Sequence, residues 1–270
     1  MHILFFLITI LTTLLIKQPI SKLISRKKRY ARNYRGELVP CCMGVVYPLV
    51  TIITFLFLIS TSNQNIVITL CFLFSIIAMS FIGLLDDLMG DRTSLGFKGH
   101  LRACIKGDIT TGFLKLIFGG LVAVVVSLIL SNCYYSIFIN AIIIALSCNF
   151  INLMDLRPGR ALKIIIIILA IFILTAESNL KPYIYIILGF AITYFPQDIK
   201  GLSMMGDVGS NSLGVSIGII MSISYSLNAR IVIMIFLLLM HIITERYSLT
   251  KIIEGNSILN FLDKLGQNNR

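Results

Sequence analysis

The sequence predicts an all-α polytopic integral membrane protein with about nine transmembrane helices. Three observations carry that expectation. Hydrophobic residues make up 57% of the 270 and Asp, Glu, Lys and Arg only 13%, about half the roughly 25% charge of a soluble domain. The apolar residues come in runs close to the ~20 that a helix needs to cross a bilayer. The basic residues gather on alternate sides of those runs.

The runs fall at about 2–17, 41–60, 65–85, 112–131, 134–154, 161–176, 181–196, 209–226 and 229–243. The first has its basic cluster after it and no small-x-small cleavage site, which suits a retained span rather than a signal peptide. Loop 17–37 carries Lys17, Lys22, Arg26, Lys27, Lys28, Arg29, Arg32 and Arg35. Segment 86–115 carries Arg92, Lys98, Arg102, Lys106 and Lys115, and Leu95 to Ile117 reads as a stretch along the membrane surface. Arg157, Arg160, Lys163, Lys200, Arg246, Lys251, Lys264 and Arg270 follow on the same side. Of the 23 Lys and Arg, only Lys181 and Arg230 fall opposite. The positive-inside rule then places the N-terminus outside and the C-terminus in the cytoplasm. The net charge of +11 is accounted for by this placement, so no nucleic-acid partner is expected.

The outer connections, Ser60–Gln64, Ser131–Cys133, Ala176–Leu180 and Ser226–Asn228, are too short for an outer domain. Chemistry is therefore expected at the cytoplasmic face. Gly119, Gly120, Gly214 and Gly218 permit close helix packing. The cysteines at 41, 42, 71, 104, 133 and 148 form no zinc-site spacing, and His2, His100 and His241 lie far apart.

Four polar clusters interrupt the runs on the inner side. The first, Asn33–Gly44, is punctuated by Gly36, Pro40 and Gly44; it reads as a loop and helix start, or as a substrate-facing loop whose Arg35 approaches phosphate. The second is Asp86 and Asp87 at the end of an apolar run. Adjacent helical residues point about 100° apart, so the two cannot ligate one ion equally. One suits a metal, the other a proton or a neighbour; Asp91 lies one turn on. The third, Asn149–Lys163, sets Asn149, Asn152 and Asp155 near one helix face, followed by Arg157 and Arg160. It suits a polar ligand with a phosphate, and equally helix-end capping. The fourth, Met204–Gly214, has Gly206 and Gly209 around Asp207 and Val208, with Ser210 or Asn211 as a helix cap. A helix start there favours phosphate; an ordinary turn is the plainer reading.

Together these clusters resemble the polyprenyl-phosphate N-acetylhexosamine-1-phosphate transferase superfamily. Phe81–Asp87 resembles its membrane-terminal double aspartate. Asn149–Asp155 matches its Asn-x-x-Asn-Leu-x-Asp element, and Met205–Ser210 its Met-Gly-Asp-x-Gly-Ser element. Pro40, Met43 and Gly44 resemble part of its first cytoplasmic loop. The resemblance runs from about residue 33 to 225. It implies transfer of an N-acetylamino-sugar-1-phosphate from a UDP-sugar to undecaprenyl phosphate, releasing UMP. It further implies Mg2+, with Mn2+ as a substitute, held by Asp207 and secondly Asp87. Asp86 is the implied base. Asn149, Asn152 and Asp155 would hold the donor, with Arg35, Arg157, Arg160 and Ser210 as further binding residues; Lys115 would contact the lipid phosphate. The implied setting is a bacterial plasma membrane, with residues 1–243 as one catalytic domain and 244–270 as an amphipathic cytoplasmic tail. A homodimer is compatible with it.

The chain departs from the family after Asp155, where Leu156–Arg160 replaces the usual Gly. It has only His241 where the translocase branch carries adjacent histidines, and no tenth span. These departures favour a GlcNAc-type donor over a MurNAc-pentapeptide one. They also leave room for a non-catalytic envelope scaffold; a transporter is the third alternative.

Overall fold

The computed structural model describes residues 2–62, 64–90, 99 and 103–267. Asp91, Arg92, Lys98, His100 and Arg102, singled out above, lie outside the described residues. Each of the nine apolar runs is helical: α1 (His2–Arg26), α2 (Val46–Thr61), α3 (Ile66–Met89), α4 (Thr111–Leu130), α5 (Tyr134–Met154), α6 (Arg160–Thr175), α7 (Lys181–Ile199), α8 (Gly206–Ser224) and α9 (Leu227–Arg246). Two short tail helices follow, α10 (Leu249–Glu254) and α11 (Ser257–Lys264).

Six of these are long and apolar enough to cross a membrane: α1, α2 with the turn before it, α3, α4, α5 and α9. The other three differ for visible reasons. Helix α6 has 16 residues and rises only ~24 Å. Helix α7 ends in Gln197 and Asp198, and α8 carries Asp207, Ser210, Asn211, Ser212 and Ser216.

One departure from an all-helical chain lies in the first polar cluster. Strands β1 (Tyr30–Arg32) and β2 (Leu38–Pro40) pair antiparallel, with Tyr30 opposite Pro40 and Arg32 opposite Leu38. The Asn33 side chain closes the turn by accepting from the Arg35 and Glu37 amides at 2.9 and 3.0 Å. This is local Asx chemistry, which outcompetes an irregular loop.

Side-chain contacts show that the helix ends alternate. At one end, α3 and α5 finish where α4 and α8 begin, through Lys115–Asp86 and Asn152–Asp207. At the other end, Thr69 near the start of α3 meets Tyr183 near the start of α7 at 2.6 Å. There also Arg230 of α9 donates to Asn140 of α5 at 2.8 Å. Helix α1 runs parallel to α7: His2 stacks on Tyr185 and Lys17 reaches the Thr193 carbonyl.

Helix α8 is the axis of the bundle. Every residue from Val208 to Ile220 is buried, against α2, α3, α5 and α6. Small residues let its neighbours come close. A Cβ at Gly218 would stand 2.8 Å from the Ile144 Cα and 3.1 Å from the Ser147 Cβ of α5. Tyr47 fills the far side and shares a 2.8 Å hydrogen bond with Ser216. The outer helix faces are apolar, with Phe74, Ile77 and Phe81 of α3 and Leu121 and Leu128 of α4 exposed. So much exposed apolar surface is a liability in water and ordinary in lipid.

The packing of α5 on α8 makes Gly218→Ala a sensitive probe. The added methyl group is expected to cost about 1–3 kcal/mol as overpacking. The check is a lowered thermal unfolding midpoint in detergent, set against Gly120→Ala, where a Cβ meets nothing within 4 Å.

Candidate active site

The site forms where α3, α4, α5 and α8 meet at one end of the bundle. It begins with the first turn of α8. A helix start has unpaired amides and a partial positive charge. Asp87, near the end of α3, takes two of those amides: its Oδ1 accepts from Asp207 N at 3.0 Å and its Oδ2 from Val208 N at 3.1 Å. The Asp155 side chain lies near the Gly206 amide, which favours its charged form. Gly206 has φ +75°, and a Cβ there would lie 2.5 Å from Asp87 Oδ2. Only glycine allows that backbone conformation and that approach together.

This arrangement corrects two sequence expectations. Helix α8 starts at Gly206, so Ser210 and Asn211 lie inside it rather than at its cap. The amides that suggested a phosphate cradle are occupied by the chain's own carboxylates. Asp87 keeps one lone pair on each oxygen, but its first task here is to hold α8 in place.

Asp86 and Asp207 are disposed differently. Lys115, in the second turn of α4, stands between them, ion-paired to Asp207 Oδ2 and 3.5 Å from Asp86 Oδ2. The three side chains keep 16%, 21% and 24% exposure for Lys115, Asp86 and Asp207, enough to meet a ligand. Asn152, on the last turn of α5, bridges Asp207 and Ser210 in either amide orientation. With its oxygen turned to Lys115 Nζ at 2.8 Å, its nitrogen donates to Asp207 Oδ1 and Ser210 Oγ at 3.0 Å. Asn149 lies half-buried one turn earlier on α5. The first cluster joins through its backbone. Met43 N donates to Met204 O at 3.0 Å, Gly44 N to Met205 O at 2.8 Å and Met204 N to Pro40 O at 2.9 Å.

The arginines turn elsewhere. Arg160 is buried and makes a two-pronged pair with Asp263 of α11 at 2.7 and 2.8 Å. Arg157 pairs with Glu254 at 3.2 Å. Arg157 and Arg35 both lie against the Tyr34 ring, at 5.0 and 5.1 Å from its centroid. Sequence reasoning did not single out Asp198, which is buried and accepts from the Gly159 amide at 2.9 Å, fixing the loop after Asp155. Its signal was present: like Asp86, it is a carboxylate at the end of an apolar run.

Among the described residues, no group of three or more His, Cys, Asp or Glu side chains is arranged to hold a metal ion. What the site offers a cation is hard carboxylate oxygen, on Asp86, Asp207 and the second lone pairs of Asp87. Hard carboxylate oxygen is the donor type that Mg2+ prefers.

Two outcomes separate the roles. Asp87→Ala strands two buried amides and is expected to cost roughly 1–3 kcal/mol for each, whereas Asp86→Ala strands none; denaturation in detergent compares them. The second concerns pH. The Asp155 carboxyl is pushed well above the usual range by burial first, then by Asp198, Asp207 and Asp87. The folded protein therefore holds this proton more tightly than the unfolded chain. That contribution is complete below the ordinary carboxylate pKa of ~4 and is lost as pH rises towards the raised folded value. Asp155→Asn should flatten this decline in the thermal midpoint across the same pH range. Comparison with models of known families and with curated protein sequences finds no match for this chain.

Proposed function

We propose that the chain is a Mg2+-dependent membrane phosphoglycosyltransferase. It would move an N-acetylamino-sugar-1-phosphate from a UDP-sugar to undecaprenyl phosphate, on the cytoplasmic face of a bacterial plasma membrane. In this reading all nine long helices cross the bilayer, with the N-terminus outside. The alternation of helix ends supports that count, and the one-sided Lys and Arg support the orientation. The observation that carries the function is the meeting of Asp86, Asp87, Lys115, Asn152 and Asp207. These residues come from separate stretches of sequence and converge at the bundle end.

The reaction needs a lipid phosphate oxygen to attack the phosphorus that bears the sugar. The bond to the bridging oxygen breaks and UMP departs. Such transfers depend on position and charge neutralisation more than on covalent chemistry. Asp207 with Asp87 would hold Mg2+, whose charge would neutralise the donor diphosphate. Lys115 would turn its ammonium from the carboxylates to a phosphate, retaining an ionic partner throughout. Asn152 and Ser210 would hold the Asp207 carboxylate in line. Asp86, whose partner Lys115 would turn to the phosphate, is the group assigned to take a proton from the lipid phosphate. Asp155 and Asp198 keep the loop after α5 in place.

A non-catalytic scaffold of envelope assembly is the second reading. The observation favouring it is that the cluster is satisfied within the chain: Asp87 by amides, Asp86 and Asp207 by Lys115. A transporter fits less well, since the acidic groups gather at one end of the bundle.

Purified protein supplied with Mg2+, undecaprenyl phosphate and labelled UDP-amino sugars should form lipid-linked sugar and UMP in equal amounts. Asp207→Asn should lower turnover about a hundredfold. Absence of product with every common amino-sugar donor, where a known transferase works, would leave the scaffold reading in its place.

A further inference from the structure

Helix α11 packs the wrong way round for a helix in water. Its polar residues Asn260 and Asp263 face the protein and are partly covered. Its apolar residues Ile258, Phe261 and Leu262, with Leu265 just beyond, are 70%, 65%, 50% and 55% exposed. These four lie at the spacing of one helical stripe. The neighbouring α10 packs in the ordinary sense, with Leu249 buried and Ile253 against the core. The inversion is therefore local to α11.

The polar side is firmly attached. Asp263 receives both prongs of the buried Arg160 at 2.7 and 2.8 Å. Lys163 Nζ donates to the Leu262 and Asp263 carbonyls at 2.9 and 2.7 Å, capping the end of α11. Gln267 reaches the Pro158 carbonyl at 3.0 Å. These contacts fix the direction of the apolar stripe. They also place α11 beside the start of α6, a helix of only 16 residues.

Helix α6 shows Ile167, Ile171 and Leu174 on its outer side, as a lipid-facing helix does. Its rise of ~24 Å falls short of the ~30 Å hydrocarbon core. The missing apolar length lies at a helix end, and α11 is pinned against the inner one. Exposed Lys251 and Lys264 flank the stripe, as in helices that lie on anionic bilayers.

We propose that α11 is an interfacial helix, with Ile258, Phe261, Leu262 and Leu265 inserted among lipids where α6 leaves the bilayer. The occupant of the apolar stripe is lipid. The Arg160–Asp263 pair then ties the loop between α5 and α6 to the membrane surface. Lipid insertion of α11 is independent of any catalytic activity, since none of its contacts involves Asp86, Lys115 or Asp207.

The chain has no tryptophan, so Phe261→Trp creates a single reporter in the full-length protein. It is reconstituted into vesicles of equal phosphatidylcholine and phosphatidylglycerol, with or without bromine on the acyl chains near the headgroup. Brominated lipid is expected to reduce the emission about twofold or more, while aqueous acrylamide has little effect, as for a ring at the acyl boundary. Strong acrylamide quenching with no response to bromine would overturn the proposal, the stripe then facing water. Protection from both quenchers would also overturn it, the stripe then being covered by protein, such as a second copy. Leu265→Trp gives the same reading at a second position if the first variant does not fold.

Discussion

Asp87 sets the frame on which the site depends. Its two oxygens accept the Asp207 and Val208 amides at the start of α8, which joins the end of α3 to the start of the buried central helix. A carboxylate at a helix start is favoured by the local dipole and by the unpaired amides. The approach demands glycine at 206, where any Cβ would strike the carboxylate. Once α8 is placed, its second residue, Asp207, has to lie beside Asp86. The two sequence clusters thus become one site through backbone hydrogen bonds rather than through a shared ligand.

Lys115 answers the electrostatic problem that this frame creates. Several carboxylates gathered in partly dry surroundings repel one another, and a buried charge is costly without a partner. One ammonium between Asp86 and Asp207 relieves the worst of it. Asp87 is met by two of the amides that open α8. Asp86, Asp87 and Asp207 therefore each have a partner supplied by a helix other than their own.

The helices were legible from the sequence because apolar runs bounded by basic loops reflect the solvent they must meet. Six of the nine runs yield helices long and apolar enough to span. The site was legible as a set of clusters, and Asp86, Asp87, Lys115, Asn152, Asp207 and Ser210 do lie together. The different tasks of Asp86 and Asp87 were half visible: a 100° offset forces neighbours apart, but it does not say which one turns to the α8 amides. The hairpin over residues 30–40 was missed, since a three-residue strand has no periodicity to read. The arginines were misleading in isolation. Arg157 and Arg160 lie two and five residues after Asp155, yet their partners Glu254 and Asp263 come from the far end of the chain. No local pattern announces such a contact.

The two charged groups at this end of the bundle differ in how they can respond to a ligand. Arg160 and Asp263 are 4% and 11% exposed and make a two-pronged pair; removing either partner would leave a buried charge, so this pair serves as a fixed joint. Lys115, Asp86 and Asp207 retain more contact with solvent, and Lys115 is a flexible point charge rather than a rigid fork. Under the proposed reading, a divalent cation arriving with a diphosphate brings a positive partner for the aspartates and a negative one for Lys115. Each resident charge then exchanges one partner for another without being left alone. The exchange leaves α3 attached to the start of α8, because Asp87 and the close packing of Gly83 on Asp207 hold that joint without Lys115. A rigid frame with a replaceable internal ion pair is therefore consistent with both the self-satisfied cluster and a catalytic role for it.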